Sequence, residues 1–375
     1  MINTFYPPWR GGAETYVKNL AENLVKRGHE VQVSVANQPL KPGEFVQNEV
    51  LVKRLKSVGM FYGVPIIPKL LPHLISTDMD IIHTNFPNPF NAIMGATASR
   101  IKKVPSVITW HNDLPSVTNI AGSIVRIHDG LAAPFYLKYY DTIITTSNTY
   151  QKKSKILQKF KSRTKTILNG VDCKRFNPDV YAEDIKIDLK TKDSKIILFV
   201  AALTKWHRYK GLDILIDSFK LIREMDIKLL IVGGGDLKSE YEVHAKDLNV
   251  EDKVLFIGEV SDEFLPKYYA VADILVLPSK DRSEGFGLTI LEANASGKPA
   301  IGSNIGGIPS ILTDNDNGIL VPPNNPTLLA KAIKKLCNDD KLRERMGARG
   351  RQIALMHDWS KVAIETEKIY LELLD

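Results

Sequence analysis

The sequence predicts an α/β protein built as two halves, each a parallel sheet with crossover helices. Three observations carry this. At 375 residues the chain exceeds the usual span of one hydrophobic core, so two domains are expected. Short apolar runs alternate with amphipathic segments along the whole length, as strands joined by crossover helices do. The alternation lapses between Val171 and Ser194, where charge, a proline and weak periodicity mark an interdomain linker.

The elements follow in order. In the first half, Glu30 to Ala36, Asp80 to Thr84, Ser106 to Trp110, Thr142 to Thr146 and Thr166 to Leu168 are the strand candidates. Ala13 to Arg27 is the clearest helix: Val17, Leu20, Ala21, Leu24 and Val25 share one face, and Gly28 supplies the stop. The opening Met-Ile-Asn-Thr-Phe-Tyr-Pro-Pro leaves room for only a very short first strand, either abbreviated or preceded by more chain. The second half runs through Ile196 to Leu203, Ile227 to Val232, Lys253 to Ile257, Asp273 to Leu277, Pro299 to Gly302 and Gly318 to Val321. Helical patterns such as Leu212 to Met225 and Leu288 to Ser296 lie between them. The domains are therefore expected at 1–180 and 190–357.

Composition narrows the class. With 44% hydrophobic and 25% charged residues the chain reads as soluble and globular, neither disordered nor membrane-spanning. The most apolar stretch, Val58 to Ile75, is interrupted by Pro65, Pro68, Lys69, Pro72 and His73, so it belongs in or on the protein. Met1 to Trp9 lacks the basic and apolar regions of a secretory signal, which makes cytoplasmic residence the expectation. Cys173 and Cys337 are far apart without metal-ligand spacing, so reduced thiols are expected, with neither a disulfide scaffold nor a structural zinc.

The net charge of +7 is concentrated in the first half: residues 1–180 hold 23 Lys plus Arg against 12 Asp plus Glu. Seven of those cations lie between Lys152 and Lys165, with Ile156, Leu157 and Phe160 at helical spacing. Two readings fit this segment. The favoured one is an amphipathic helix whose apolar stripe packs on its own domain; the other is peripheral contact with an anionic membrane, at the inner face. Nucleic acid is not expected as a partner, because no binding motif accompanies the charge.

Ligands of open parallel sheets bind beyond the carboxyl ends of strands, so polar residues there are the candidates. In the first half these are Arg10, Gly11 and Gly12, then His83 with Asn85, and His111 with Asp113. Gly11 and Gly12 precede a helix, whose first amides and dipole suit an anion such as a pyrophosphate, although an ordinary tight loop fits equally. His111 is placed for a polar contact or proton transfer, or for a structural hydrogen bond.

In the second half, Lys205, Arg208 and Lys210 follow a strand and are suited to neutralising phosphates. Gly233-Gly234-Gly235-Asp236 fails the dinucleotide spacing and reads as a sharp strand-to-helix turn or a close backbone approach. The strongest constellation is Glu284 to Glu292. Gly285 and Gly287 make Glu284 a loop residue and start the helix near Gly287 or Leu288. The amides of Phe286, Gly287 and Leu288 then face phosphate oxygens, and Glu292 is suited to accept both hydroxyls of a ribose.

With these residues in view, the sequence resembles the retaining nucleotide-sugar glycosyltransferases of family four. Its marks, in order, are Gly-Gly-Ala-Glu at 11–14, Asp-Ile-Ile-His at 80–83, Trp-His-Asn-Asp at 110–113, Asn-Gly-Val-Asp at 169–172, Tyr-Lys-Gly at 209–211 and the two glutamates at 284 and 292. The resemblance spans nearly the whole chain. It implies the GT-B fold, two Rossmann-like domains with parallel sheets facing across a cleft, and a C-terminal helix within 358–375 that packs back on the first domain. Cleft closure would bring His111, near the transferred sugar and acceptor, to a donor held by the second domain.

The resemblance further implies that Gly11 and Gly12 approach the donor diphosphate, that Lys210 neutralises it, and that Glu292 holds the ribose. Glu284 and the backbone of Gly285, Phe286, Gly287 and Leu288 would contact sugar and phosphates, with the base recognised around Val260. Similar enzymes carry an arginine where this chain has Ala201-Ala202-Leu203, and Lys205 or Arg208 is expected to replace it. The activity implied is transfer of a sugar from a nucleotide diphosphate to a glycan, lipid-linked or small-molecule acceptor, with the leaving group stabilised by cations and amides and without cofactor or metal. An epimerase or hydrolase on the same scaffold, or a noncatalytic sugar-nucleotide binder, is the alternative. A nicotinamide-dependent dehydrogenase is disfavoured by the missing fingerprint.

Overall fold

A computed structural model describes residues 1–375 except 10, 62, 115–119, 190, 192 and 193, so Arg10 lies outside the described residues. The chain divides into two compact units, Met1–Asn169 with Trp359–Asp375, and Gly170–Asp358.

In the first unit, β1 (Gln32–Ala36) is followed by the hairpin β2 (Gly43–Gln47) and β3 (Val50–Leu55). β3 pairs in parallel with β1 and antiparallel with β2. A second hairpin joins β4 (Gly59–Phe61) to β5 (Val64–Ile66). The strands β6 (Ile82–Phe86), β7 (Ser106–Trp110), β8 (Thr142–Thr145) and β9 (Thr164–Thr166) follow in parallel and in that order. The opening strand is reduced to a bridge: the Ile2 amide donates to the His83 carbonyl at 2.8 Å, and the Asn3 amide to that of Ser34 at 3.2 Å. Residues 1–3 thereby tie β1 to β6.

The sequence reading missed both hairpins. The turn of the first is Asn48-Glu49, both at positive φ (48° and 63°), a two-residue type I′ geometry reached without the Asn-Gly signature that normally announces it. The stretch Val58 to Ile75 splits in two: Val58, Met60 and Phe61 are exposed on the second hairpin, whereas Ile67, Leu70 and Leu74 enter the core.

The helices of this unit are α1 (Gly12–Val25), α2 (Leu70–Ser76), α3 (Pro89–Lys102), α4 (Ile120–Ile127), a π-helical turn His128–Ala132, α5 (Ala133–Leu137), α6 (Asn148–Lys153) and α7 (Lys155–Gln158). The expected single helix over 152–165 is corrected. Ser154 accepts from the Leu157 amide as a new N-cap, and the chain restarts as a second short helix. Ile156 and Leu157 are buried in the unit's own core, so this segment's apolar side is already covered. The closing helix, Trp359–Leu374, lies on α1: Trp359 meets the Tyr16 ring edge-on at 5.7 Å, and Glu367 pairs with Arg27 and His29.

The second unit is a six-stranded parallel sheet of β10 (Lys195–Val200), β11 (Ile227–Val232), β12 (Val254–Gly258), β13 (Ile274–Leu277), β14 (Ala300–Ser303) and β15 (Gly318–Val321). Its order is β12-β11-β10-β13-β14-β15, a doubly wound arrangement that reverses direction between β10 and β13. Around it run α8 (Glu183–Asp188), α9 (Leu212–Lys220), α10 (Lys238–Asp247), α11 (Leu265–Val271), α12 (Leu288–Ala295), α13 (Pro326–Cys337) and α14 (Asp340–Met356). Part of the expected linker is fastened to this unit. Arg351 donates to the carbonyls of Cys173, Phe176 and Ala295, and the Val171 amide donates to that of His357. A guanidinium fork serving irregular backbone leaves no periodic trace in a sequence.

Candidate active site

The loops after β10 and β13 meet where the strand order of the second sheet reverses. The first contains a 3-10 turn, Lys205–Lys210, that ends on Gly211 at φ 77°. A Cβ on Gly211 would collide with the Pro278 carbonyl, and the Lys280 amide donates to the Tyr209 carbonyl at 2.7 Å, so the two loops run in backbone contact. That approach delivers Lys210 to Glu284: its ammonium donates to Glu284 Oε2 at 2.6 Å, and Ser279 Oγ donates to the same oxygen at 3.0 Å. Glu284 is only 4% exposed. Burial alone works against the Lys210 charge, but the Glu284 carboxylate, with Tyr209, outweighs it and holds the lysine above its ordinary pKa.

Gly287, at φ 96°, is the N-cap of α12, and Leu288 is its first residue. The first amides of this helix have no partner one turn back and point out of its N-terminal end. Phe286 is buried below them. The loop after β14 crosses this segment: the Gly307 amide donates to the Glu284 carbonyl at 2.9 Å, and Cβ atoms on Gly306 or Gly307 would strike the carbonyls of Glu284 or Gly285.

Further along α12, Glu292 has a different hydrogen-bond partner. Tyr269 of α11 donates its hydroxyl to Glu292 Oε2. Burial raises the Glu292 carboxyl to about 7, against the smaller opposing pull of the Tyr269 hydrogen bond and Arg175. The two glutamates thus have different partners, Lys210 and Ser279 for Glu284 before the helix and Tyr269 for Glu292 within it.

The remaining candidates fall around this centre. Arg208 is paired with Glu240 of α10, while Lys205 is exposed. Of the two cations expected to replace the arginine absent at Ala202, one is therefore already engaged. Val260 lies two residues beyond the end of β12. The triple glycine at 233–235 is a packing device: Cβ atoms on Gly233 and Gly235 would strike the carbonyls of Ala201 and Leu203.

In the first unit, Gly11 is extended (φ −177°) and caps α1, with Gly12 as the first helical residue. The Glu14 carboxyl occupies the space a Gly11 side chain would need, and burial raises it to about 7. His111, 9% exposed at the end of β7, has its Nε2 3.2 Å from Asn85 Oδ1. Asn85 Nδ2 donates to the Ile2 carbonyl, which fixes the amide orientation and makes His111 Nε2 the protonated nitrogen. Burial depresses His111 to about 3, so the ring is neutral at physiological pH with Nδ1 as its lone-pair nitrogen.

His83 and Asp113, expected at the same rim, are structural. His83 is enclosed, bonded to Thr109 at 2.7 Å and to Tyr370 of the closing helix. Asp113 accepts from Trp110 Nε1 at 2.9 Å and from Ser154 at 3.1 Å. Among the described residues no cluster of His, Cys, Asp or Glu is arranged to hold a metal ion.

Residues 10–175 match the family described as Glycosyltransferase Family 4, and residues 180–353 match glycosyl transferases group 1. A glycosyltransferase of Methanocaldococcus jannaschii is 30% identical over 99% of this chain and 97% of its own length. This chain belongs to the family 4, group 1 glycosyltransferases. The O-antigen chain mannosyltransferase C of Escherichia coli is 28% identical over 94% of the chain and 91% of its own length. Among solved structures, Anabaena HepE in complex with UDP-glucose superposes with a TM-score of 0.81 at 20% identity, covering 99% of this chain and 98% of that one. The fold is GT-B, two Rossmann-like units.

For this glycosyltransferase the second unit brings Lys210, Glu284 and the first turn of α12 together, with Glu292 farther along the same helix. Sequence reasoning missed Ser279, Gly306, Gly307 and Tyr269. The Gly-Gly pair after β14 was a visible signal, since two adjacent glycines beyond a strand end mark a close backbone approach. Ser279 and Tyr269 offered none, because their role depends on which loops the strand order places side by side.

Proposed function

We propose that this glycosyltransferase moves a hexosyl group from a nucleotide diphosphate sugar to an acceptor hydroxyl with retention of anomeric configuration. The observation that carries the proposal is the Lys210–Glu284–Ser279 cluster at the amide-bearing start of α12, a site with both cation and N–H donors for a diphosphate at the switch point of the sheet. HepE, of the same fold, was solved with UDP-glucose, which agrees with such a donor.

In this reading Lys210 and the amides of Phe286, Gly287 and Leu288 take the charge of the leaving diphosphate. Glu284 holds Lys210 charged and in place, and its Gly285 backbone contacts the sugar. Glu292 accepts from the ribose hydroxyls, and the backbone near Val260 receives the base. Lys205, exposed and without the Glu240 pairing of Arg208, binds the phosphate that an arginine at Ala202 would otherwise hold, and Arg208 does so only on leaving Glu240. On the acceptor side, Gly11 and Gly12 approach the diphosphate, and His111, neutral, hydrogen-bonds the transferred sugar.

The bond between the anomeric carbon and the β-phosphate oxygen breaks as the acceptor oxygen attacks from the same face, and the acceptor proton passes to the departing phosphate oxygen. Cations and amides supply the stabilisation, so a chelator should leave turnover intact. The test is a panel of nucleotide sugars with and without glycan, lipid and small-molecule acceptors, read by proton NMR of the product. Transfer with the donor's anomeric configuration supports the reading. Inversion, or epimerised or hydrolysed donor as the sole product, contradicts it.

A further inference from the structure

A second organised surface lies on the first unit. From Ile120 to Leu137 the chain is helical throughout, α4 passing through the π-turn into α5. Its inward side is anchored: Ala133, Tyr136 and Leu137 are buried with Phe86 and Trp110, and His128 Nε2 lies 2.9 Å from the Tyr136 hydroxyl. That anchoring fixes the opposite side outward. There Ile124, Ile127, Leu131 and Phe135 are 39%, 62%, 72% and 61% exposed, at intervals of three or four residues that align them in one stripe. Four large apolar side chains in a row exceed the scattered exposure of an ordinary surface.

Cations frame the end of the stripe. Lys138 Nζ stands 4.5 Å from the Phe135 ring and 5.0 Å from that of Tyr139, which the Arg100 guanidinium approaches at 5.4 Å. Exposed Ile101 follows Arg100 at the end of α3, with Lys102 and Lys103 beside it. Of the two acids between residues 93 and 140, Asp113 accepts from Trp110 and Ser154, and Asp129, its side chain 32% exposed, is paired with His128 at 2.8 Å. The stripe therefore presents apolar side chains within a positive frame.

We propose that this face seats the protein on an anionic lipid surface, the apolar stripe entering the boundary between headgroups and acyl chains while Arg100 and Lys138 meet lipid phosphates. The charge selects the occupant. A second copy docking the same face would bring like cations together, whereas phosphate headgroups complement them. The segment 152–165, the sequence's own candidate for this contact, keeps its cations but buries Ile156 and Leu157. The inference goes beyond the proposed transfer reaction and stands or falls separately from it.

The experiment is flotation of the full chain with phosphatidylcholine vesicles, with and without one-third phosphatidylglycerol. Wild type is expected to float with the anionic vesicles and not with the neutral ones. The pair Leu131→Gln and Phe135→Gln should lower partitioning at least about tenfold without lowering the melting temperature, because both side chains are outward. Arg100→Glu with Lys138→Glu should give a comparable loss that shrinks at high salt, and this pair tests the proposal even if the first fails to fold. Unchanged flotation of both pairs, or equal binding to neutral vesicles, overturns it. So does absence of vesicle binding together with a wild-type dimer that the stripe variants dissociate on sedimentation, which would assign the face to a second copy.

Discussion

Replacing Lys210 by methionine keeps the apolar stem and removes the charge that Glu284 accepts from. At 2.6 Å, two unit charges attract by roughly 6 kcal/mol at an effective dielectric of about 20, and the removal of both from water offsets most of that. The single substitution leaves a carboxylate whose side chain is 5% exposed, with the Ser279 hydroxyl as its remaining hydrogen-bond donor among the described residues. The expected loss is about 3 kcal/mol, toward the lower end of the range for an orphaned buried charge because Lys210 keeps 16% exposure and Ser279 stays. For a unit of this size that is a fall in melting temperature of about 9 °C. Lys210→Met combined with Glu284→Gln removes both charges and should recover about 2 kcal/mol of the loss. Guanidinium unfolding of the wild type, both single variants and the double closes the cycle. A Lys210→Met cost under about 0.5 kcal/mol, or costs that simply add, would refute the coupled pair.

Three further outcomes follow from the geometry. Burial raises the Glu292 carboxyl from 4.5 to about 7, and in its proposed role as ribose holder only the carboxylate form could accept from both hydroxyls. Donor affinity measured by calorimetry should therefore weaken as pH falls below 7, by up to about tenfold per unit, and Glu292→Gln should flatten the slope. His111→Ala should lower kcat about a hundredfold, and Asn85→Ala, which releases the His111 tautomer, should lower it roughly tenfold, one hydrogen bond's worth. Gly306→Ala places a Cβ against the Glu284 carbonyl at φ 58° and should cost about 1–3 kcal/mol of stability along with donor affinity, whereas Gly43→Ala, in open space, should cost little of either.

The second unit was the more legible in sequence. Its strands are short runs of Ile, Leu and Val buried on both faces, and β11 and β15 lie where the apolar runs place them. The first unit was harder because its hairpins are edge features. β2 alternates exposed and half-buried residues, and its turn uses Asn48-Glu49 without glycine. The candidate site divides the same way. Glycine positions and strand ends located Glu284, Lys210 and Glu292, but their partners Ser279 and Tyr269 come from other loops and helices, brought in by strand order. The diversion of Arg208 to Glu240 was hidden for the same reason: α10 follows a different strand.

The start of α12, with Lys210, is the proposed seat of the diphosphate of a nucleotide donor. Calorimetric titration of UDP, GDP and ADP into the wild-type protein and into Lys210→Met tests it most directly. At least one nucleotide should bind the wild type and lose about a hundredfold in affinity in the variant, while its nucleoside, lacking phosphates, binds both equally weakly. A nucleoside diphosphate that binds both proteins equally tightly would contradict the account.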